Sequence, residues 1–229
     1  MKQVLRSLRL FTAQYTITSM LQILAFFGGI YIVIGLMGFG ALNVLEEAPE
    51  SFIAGFFTSF IPGMTVMVPL MGVFLLNAMY SYNMPTTPGY KYLHSVSDSS
   101  KHFKRAIIAS NIMAVALGFM AMLITWLMCK WVGELMLSPV ATLAICFAGI
   151  GIVNFTGFFK GQLARLISIM PMCCVVGFMV GFTSAAEEDD NIFINENIMY
   201  IILAVAVAVA VAGFIFSMVK CEKKWREDK

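Results

Sequence analysis

The stretch "IMYIILAVAVAVAVAGFIFSMV", residues 198–219, decides the fold class of this chain. Its alternation of Ala and Val has the period of two that β-strands show. However, the stretch carries no charged residue along its whole length, and a helix of about 20 apolar residues crosses the roughly 30 Å hydrocarbon core of a bilayer. A lone strand cannot satisfy its backbone hydrogen bonds in lipid, whereas a helix satisfies them internally. The stretch therefore predicts a transmembrane helix.

The whole chain has the composition of a membrane protein. Of its 229 residues, 60% are hydrophobic and 12% are charged, whereas soluble domains average roughly 45–50% and 25%. The apolar residues form blocks without charge, which predict six spans: Met20–Ala41, Phe52–Tyr80, Ala106–Cys129, Leu135–Phe159, Leu166–Ala186 and Ile198–Val219. We therefore predict an all-α polytopic membrane protein whose residues 20–229 form one six-span domain. Pro62 and Pro69 predict a bend in the second span.

Residues 1–19 predict an amphipathic helix that lies in the membrane interface. Val4, Leu5, Leu8 and Phe11 fall near one helical face, and the basic residues of this segment are displaced toward the other face. Such helices bury their apolar face at the level of the lipid headgroups. The segment is suited to anchoring on anionic lipid or to lying beside a cytoplasmic partner, and the sequence does not separate these two roles.

The basic residues predict the orientation of the chain. With the amino terminus in the cytoplasm, all but Lys130 of the 15 Lys and Arg residues lie on the cytoplasmic side: Lys2, Arg6, Arg9, Lys91, Lys101, Lys104, Arg105, Lys160, Arg165, Lys220, Lys223, Lys224, Arg226 and Lys229. Cytoplasmic loops are enriched in Lys and Arg. We therefore predict a multi-pass protein of the cell membrane with both termini in the cytoplasm and a basic cytoplasmic tail, residues 220–229.

Small and polar residues within the spans predict contacts between helices. Ala204, Ala208 and Ala212 recur at four-residue spacing, which lets helix backbones approach closely. We expect this stripe to pack within the molecule rather than to form a dimer seam. Four of the polar side chains within the spans are singled out as favouring hydrogen bonds between helices over substrate binding: Asn77, Asn111, Asn154 and Thr156.

The predicted spans contain no Asp, Glu, Lys, Arg or His. Ion-coupled carriers and intramembrane proteases need such groups within the membrane. The sequence also has no Gly-x-x-x-x-Gly-Lys-Ser/Thr phosphate loop, and His94 and His102 have neither cysteines nor a cluster of acids beside them that would make a metal site. We therefore expect no cofactor and no metal on this chain, no nucleic-acid partner, and any energy source on another chain.

The longest polar passage, "PGYKYLHSVSDSSKHFKR" at residues 88–105, separates the second and third spans. Pro85, Pro88 and Gly89 end the preceding helix. Aromatic and apolar residues alternate with charged ones after this turn, which is not typical of a disordered linker. Ser97 or Asp98 is placed to cap a helix that begins near Ser99 and continues into the third span.

The segment "YLHSVSDSSKHFKRAIIASNI", Tyr92–Ile112, resembles the corresponding segment of permease subunits of type-2 ABC exporters, with Ser97 where that family often has proline. The similarity extends to the six spans, the cytoplasmic ends and the amphipathic amino terminus. It implies a cytoplasmic coupling helix between spans two and three that fits a groove on the ATPase subunit. The positions that would make this contact are Leu93, Val96, Ser97, Asp98, Lys101 and Phe103.

The resemblance implies a permease that is not itself an enzyme. Its partners would be an ATP-binding cassette ATPase that binds ATP and Mg, a second permease copy in a homo- or heterodimer, and membrane lipids. Its cargo would be hydrophobic or amphipathic, such as a peptide, lipid or drug, with peptide export favoured. The alternative hypothesis is a membrane scaffold or assembly protein whose cytoplasmic loop docks a partner that is not an ATPase. A lipid-processing enzyme is disfavoured, because carboxylates and histidines occur only outside the predicted spans.

Overall fold

The computed structural model describes residues 17–47, 52–81, 98–132, 138–156 and 196–227, and these residues are helical apart from two that precede helices. The five helices are α1 (Ile17–Glu47), α2 (Phe52–Ser81), α3 (Ser99–Val132), α4 (Pro139–Thr156) and α5 (Glu196–Glu227). The predicted all-α class is confirmed over the described residues.

Among the described residues, three helices are long and apolar enough to cross a membrane, in the segments Ala25–Leu42, Ser99–Val132 and Met199–Cys221. These segments overlap the predicted first, third and sixth spans. The second and fourth predicted spans also fall on helices, with shorter apolar segments at Gly63–Val73 and Pro139–Phe155. The predicted fifth span lies outside the described residues, as do residues 1–16 of the predicted amphipathic helix.

The start of α4 differs from the predicted start at Leu135. The helix begins at Pro139, because the Ser138 hydroxyl accepts a hydrogen bond from the Ala141 amide at 3.2 Å. The Ser138 carbonyl accepts the first backbone hydrogen bond, from the Thr142 amide at 3.0 Å. Serine at the cap followed by proline at the first helical position is a strong start signal. This signal is present in the sequence, and residues 135–137 of the predicted span lie outside the described residues.

Helices α1, α2 and α3 alternate in direction. Gly28 of α1 lies beside Met120 of α3, and Gly38 lies beside Val132, so α1 and α3 are parallel. In contrast, the Tyr31 hydroxyl of α1 reaches Thr65 of α2, while Phe27, one turn earlier, lies beside Gly72. Helix α2 is therefore antiparallel to both of its neighbours.

Helices α4 and α5 are parallel to each other. Gly151 of α4 contacts Val209 of α5, and Phe155 contacts Phe216 with 5.2 Å between the ring centroids. The contacts advance along both helices in the same direction. The end of α4 at Thr156 and the start of α5 at Glu196 therefore lie at opposite ends of this helix pair.

Glycine allows α4 and α5 to approach each other backbone to backbone. A Cβ atom added to Gly213 would lie 2.6 Å from the Gly151 carbonyl oxygen and 3.0 Å from the Gly151 Cα. Such distances cannot be relieved by rotating a side chain. The α5 side of this contact continues through small buried residues, namely Ala206, Ala210 and Ser217.

The predicted alanine stripe does not form this contact. Ala204, Ala208 and Ala212 are exposed on the outer face of the described bundle. The reason is geometric: within an alternating Ala-Val run, alanine stripes at four-residue spacing occur on two faces of the helix, and α4 covers the other one.

Large apolar side chains cover the outside of the bundle. Phe26 and Leu36 are 64% and 63% exposed, and Ile201 and Val219 are 63% and 68% exposed. In water such continuous apolar surface is a sign of an interaction site. Around helices of membrane length it is the surface that contacts lipid chains.

Candidate functional site

The start of α3, where Asp98 and Lys101 are exposed and Ser99 is buried, is the part of the predicted coupling segment that the structure describes. Asp98 precedes the helix with a φ of 59°, a left-handed conformation that Asp tolerates better than most residues. Its carbonyl accepts the first helical hydrogen bonds, from the amides of Lys101 at 2.9 Å and His102 at 3.2 Å. The predicted helix start at Ser99 is therefore confirmed.

The Asp98 carboxylate forms an ion pair with Lys101. The Lys101 Nζ lies 2.9 Å from Asp98 Oδ1, with the two side chains 71% and 59% exposed. The hydrogen bond and the charge of Lys101 lower the pKa of Asp98 below its ordinary value. The carboxylate is therefore ionised at neutral pH, and the pair is lost only as the pH falls through this lowered pKa.

The described members of the predicted coupling set differ in exposure. Asp98 and Lys101 present charge to the surface, whereas Phe103 is buried, with 3% of its surface exposed, as is Ala106 at 0%. Phe103 therefore contributes packing between the start of α3 and the bundle. The other three positions, Leu93, Val96 and Ser97, lie outside the described residues.

Helix α3 connects this charged start to the rest of the molecule. It is one unbroken helix of 34 residues, about 50 Å long. It packs against each of the other four described helices. A displacement at Asp98 and Lys101 would therefore reach all the described helices through one rigid element.

A buried polar centre lies where α1, α2, α3 and α4 meet. The Tyr31 hydroxyl donates to the Thr65 carbonyl at 2.6 Å, and the Thr125 hydroxyl lies 3.3 Å from the Tyr31 oxygen. The Thr142 hydroxyl interacts with Tyr31 as well. All four side chains are at most 2% exposed. Because each helix contributes one member, the centre fixes their relative positions.

Pro69 explains why Tyr31 is needed at this centre. In an α-helix the carbonyl of Thr65 would accept from the amide of residue 69, but proline has no amide hydrogen. The Tyr31 hydroxyl supplies the missing donor from the neighbouring helix. Helix α2 consequently continues unbroken through Pro69 to Ser81, as membrane helices do when a neighbour satisfies the freed group.

Two of the predicted polar residues form a pair between helices. The Asn154 amide donates to Asn111 Oδ1 at 2.6 Å, and the Asn111 amide faces Asn154 Oδ1 at 3.3 Å and the Ile107 carbonyl at 2.9 Å. Both side chains are buried. The prediction of interhelical hydrogen bonding is confirmed for this pair. The side chains of Asn77 and Thr156 lie outside the described residues.

Two clefts open on the outer surface of the described bundle. One, of about 480 Å³, lies between α1 and α2 and has apolar walls that include Phe26, Gly29 and Met64. The other, of about 360 Å³, lies between α3 and α5 and includes one charged residue, Lys104. Over the described residues no group of three His, Cys, Asp or Glu side chains is placed to hold a metal ion.

No family model matches the chain, and neither the curated proteins nor the solved structures contain a significant match.

Proposed function

We propose that this chain is the membrane permease subunit of an ABC exporter, driven by a separate ATPase that binds the segment leading into α3. The observation that carries the proposal is the continuity of α3. Its exposed, charged start at Asp98 and Lys101 leads without interruption into the helix that contacts every other described helix. An ATPase pushing on this start would rock the bundle as a rigid body.

The directions of the helices support a six-span arrangement. Helices α1, α2 and α3 alternate, and α4 is antiparallel to α3 because Asn111 meets Asn154 while Gly118, further along α3, meets Cys146. Helices α4 and α5 are parallel. One further crossing between Thr156 and Glu196 restores the alternation, as the apolar sequence of residues 166–186 predicts. The start of α1 and the end of α5 then share the side that carries Lys101, Lys104 and Lys220, the side predicted to be cytoplasmic.

The source of energy is proposed to be external because the apolar segments of the described helices carry no Asp, Glu, Lys, Arg or His. The uncharged segments include 25–42, 106–129 and 199–219. A carrier driven by protons or ions would use such groups within the membrane. The partner ATPase would bind ATP and Mg, and a second permease copy would complete the transporter.

The cargo is proposed to be hydrophobic or amphipathic, with a peptide as the favoured example. The large cleft between α1 and α2 is lined by Phe, Met and aliphatic side chains. Methionine is flexible and adapts to irregular apolar surfaces. A surface of this kind suits a peptide, lipid or drug better than it suits a polar solute.

A membrane scaffold is the second candidate, and the polar centre favours it. Tyr31, Thr65, Thr125 and Thr142 are almost fully buried and join four helices. A protein with a purely architectural role would have this kind of closed, hydrogen-bonded centre. In that case the start of α3 would bind a partner that is not an ATPase.

The substitution Lys101→Glu tests the proposal at the exposed start of α3. Glutamate is favourable in the first turn of a helix, and Lys101 is highly exposed, so the variant is expected to fold. Purification of the tagged protein from its native membrane should recover an ATPase with the unaltered chain. The ATP hydrolysis recovered with the variant should be at least about tenfold lower than with the unaltered chain, because an interface charge is reversed.

Lys130→Glu is the matched control, since it makes the same change at the opposite end of the same helix. It should leave the recovered ATPase activity unchanged. Recovery of no ATPase with the unaltered chain, or equal losses in both variants, would contradict the exporter assignment. A partner without ATPase activity that depends on Lys101 but not on Lys130 would favour the scaffold.

A further inference from the structure

The cleft between α3 and α5 has the chemical features of a lipid site. Its walls are formed by Phe214, Ile215, Met218 and Val219 of α5, and Lys104 of α3 completes the lining. Its volume is about 360 Å³. Four apolar walls with a single basic side chain suit a molecule that has a hydrocarbon part and an acidic part.

The cleft lies at the level where hydrocarbon gives way to headgroups. On α3, Lys104 and Arg105 are the last charged residues before the uncharged segment that begins at Ala106. On α5, Val219 is the last residue of the apolar run, and Lys220 follows it directly. The boundary between hydrocarbon and headgroups therefore crosses the cleft at both α3 and α5. The apolar side chains that line the cleft lie on the hydrocarbon side of this boundary, and Lys104 lies on the headgroup side.

Basic residues are concentrated around the headgroup side of this cleft. Lys101 and Arg105 lie within one turn of Lys104 on α3, and Lys220 follows the apolar wall on α5, with its Nζ 5.6 Å from the centre of the Phe216 ring. On α3, Asp98 is paired with Lys101, and on α5 residues 221–224 add one acid, Glu222, and two further basic residues, Lys223 and Lys224. Each Lys or Arg near a membrane surface strengthens the attraction to anionic lipid.

We propose that this cleft binds an anionic glycerophospholipid of the surrounding leaflet, with the phosphate at Lys104 and an acyl chain along Phe214, Ile215 and Met218. Basic clefts between membrane helices on the cytoplasmic side are a recurrent setting for anionic headgroups. The charge of the site selects lipids with a net negative headgroup, and its apolar walls distinguish a lipid from a free phosphate ion. The bound lipid would join α3 to α5, which touch each other less extensively than α4 and α5 do.

Native mass spectrometry of the full chain in detergent tests this site, with phosphatidylglycerol and phosphatidylcholine of identical acyl chains as probes. The unaltered chain should retain phosphatidylglycerol in preference to phosphatidylcholine. The variant Lys104→Gln should weaken phosphatidylglycerol binding about fivefold, the effect of removing one basic residue near the membrane surface. Its binding of phosphatidylcholine should not change.

Lys130→Gln is the control, because it removes one lysine from the opposite end of α3 and should leave the preference intact. A second variant, Ile215→Asp, keeps every basic residue but places a charge on the apolar wall, and it should weaken both lipids. Equal retention of the two lipids by the unaltered chain would overturn the proposal, as would equal losses in the Lys104 and Lys130 variants. Competition by inorganic phosphate as effective as competition by the lipid would also overturn it and assign the site to a free anion.

Discussion

Single residues set the register of the helices at the polar centre. Pro69 removes the amide that would satisfy the Thr65 carbonyl, and Tyr31 supplies a replacement donor at 2.6 Å from another helix. A buried carbonyl without a partner is costly, and in lipid no water is present to satisfy it. The effects of substituting Tyr31 and Pro69 on the unfolding free energy are therefore expected to be non-additive. The two residues do not bond to each other, and the Thr65 carbonyl links them.

The substitution Tyr31→Phe tests this dependence. Removing the hydroxyl leaves the Thr65 carbonyl without its donor, so the variant should lose about 1–2 kcal/mol of unfolding free energy. In a Pro69→Ala background the amide of residue 69 can bond to Thr65, and the same substitution should cost about 1 kcal/mol less. Reversible unfolding in mixed micelles measures all four members of this cycle.

Tyr200→Phe is the matched control, because Tyr200 is 56% exposed and loses the same hydroxyl. It should leave the unfolding free energy within about 0.5 kcal/mol of that of the unaltered chain. If Tyr31→Phe costs the same with proline and with alanine at residue 69, the hydroxyl does not compensate for the proline.

The sequence predicts which residues are polar within the membrane, but not always which partners they meet. Asn111 and Asn154 stand out as the kind of side chain that bonds between helices, and they do so. The role of Tyr31 was not predicted, although Pro69 already implied an orphan carbonyl on Thr65. Identifying the donor requires the relative register of α1 and α2, and no feature within either segment alone encodes that register.

At the scale of whole helices, the contact between α4 and α5 depends on glycine. Gly213 and Gly151 bring the two backbones together, and Ala206, Ala210 and Ser217 extend the contact along α5. The predicted stripe at Ala204, Ala208 and Ala212 lies on another face. An Ala-Val alternation offers two equivalent alanine stripes, and only the continuation through Gly213 and Ser217 distinguishes the buried one. Close packing of small residues is therefore described on the face that carries Gly213, and the stripe at Ala204, Ala208 and Ala212 is exposed with respect to the described helices.

The substitution Gly213→Ala should separate α4 from α5. The new Cβ would lie 2.6 Å from the Gly151 carbonyl oxygen, and backbone cannot move aside as a side chain can. Overpacking of this kind costs about 1–3 kcal/mol. Thermal unfolding in detergent should show a lower transition temperature for this variant.

Gly40→Ala is the corresponding control within α1. A Cβ at Gly40 meets no atom within 4 Å, and alanine is the better helix former by up to about 1 kcal/mol. This variant should be unchanged or more stable. A Gly213→Ala variant as stable as Gly40→Ala would show that α4 and α5 do not approach as closely as the structure indicates.

At the scale of the whole molecule, α3 and α5 indicate the same distance between the two boundaries of the membrane. On α3 the distance from Arg105 to Trp126 is about 30 Å along the axis, and on α5 the distance from Tyr200 to Lys220 is also about 30 Å. This is the thickness of the hydrocarbon core. Trp126 and Tyr200 are about half exposed, as aromatic residues at the membrane interface are. Basic residues mark one boundary and aromatic residues mark the other.

The parallel packing of α4 and α5 leads to a prediction about topology. Ser138 precedes α4 and Glu196 begins α5, so both positions should be on one side of the membrane. Asp98 and Lys220 should be on the other side, because α3 runs antiparallel to α4 and has its start beside the end of α5. Single cysteines at these four positions, in a chain whose five native cysteines are replaced by alanine, can be labelled with a membrane-impermeant thiol reagent.

In intact cells the reagent should label the Ser138→Cys and Glu196→Cys variants and spare Asp98→Cys and Lys220→Cys, which should react only after permeabilisation. The grouping of positions 138 and 196 tests the crossing between α4 and α5, and it does not depend on which side faces the cytoplasm. The side on which the pair is labelled tests the orientation that the basic residues predict. If positions 138 and 196 react from opposite sides, the chain between Thr156 and Glu196 does not cross the membrane. The parallel pairing of α4 and α5 and the proposed six-span permease would then both be wrong, whereas uniform reversal of all four positions would overturn only the orientation.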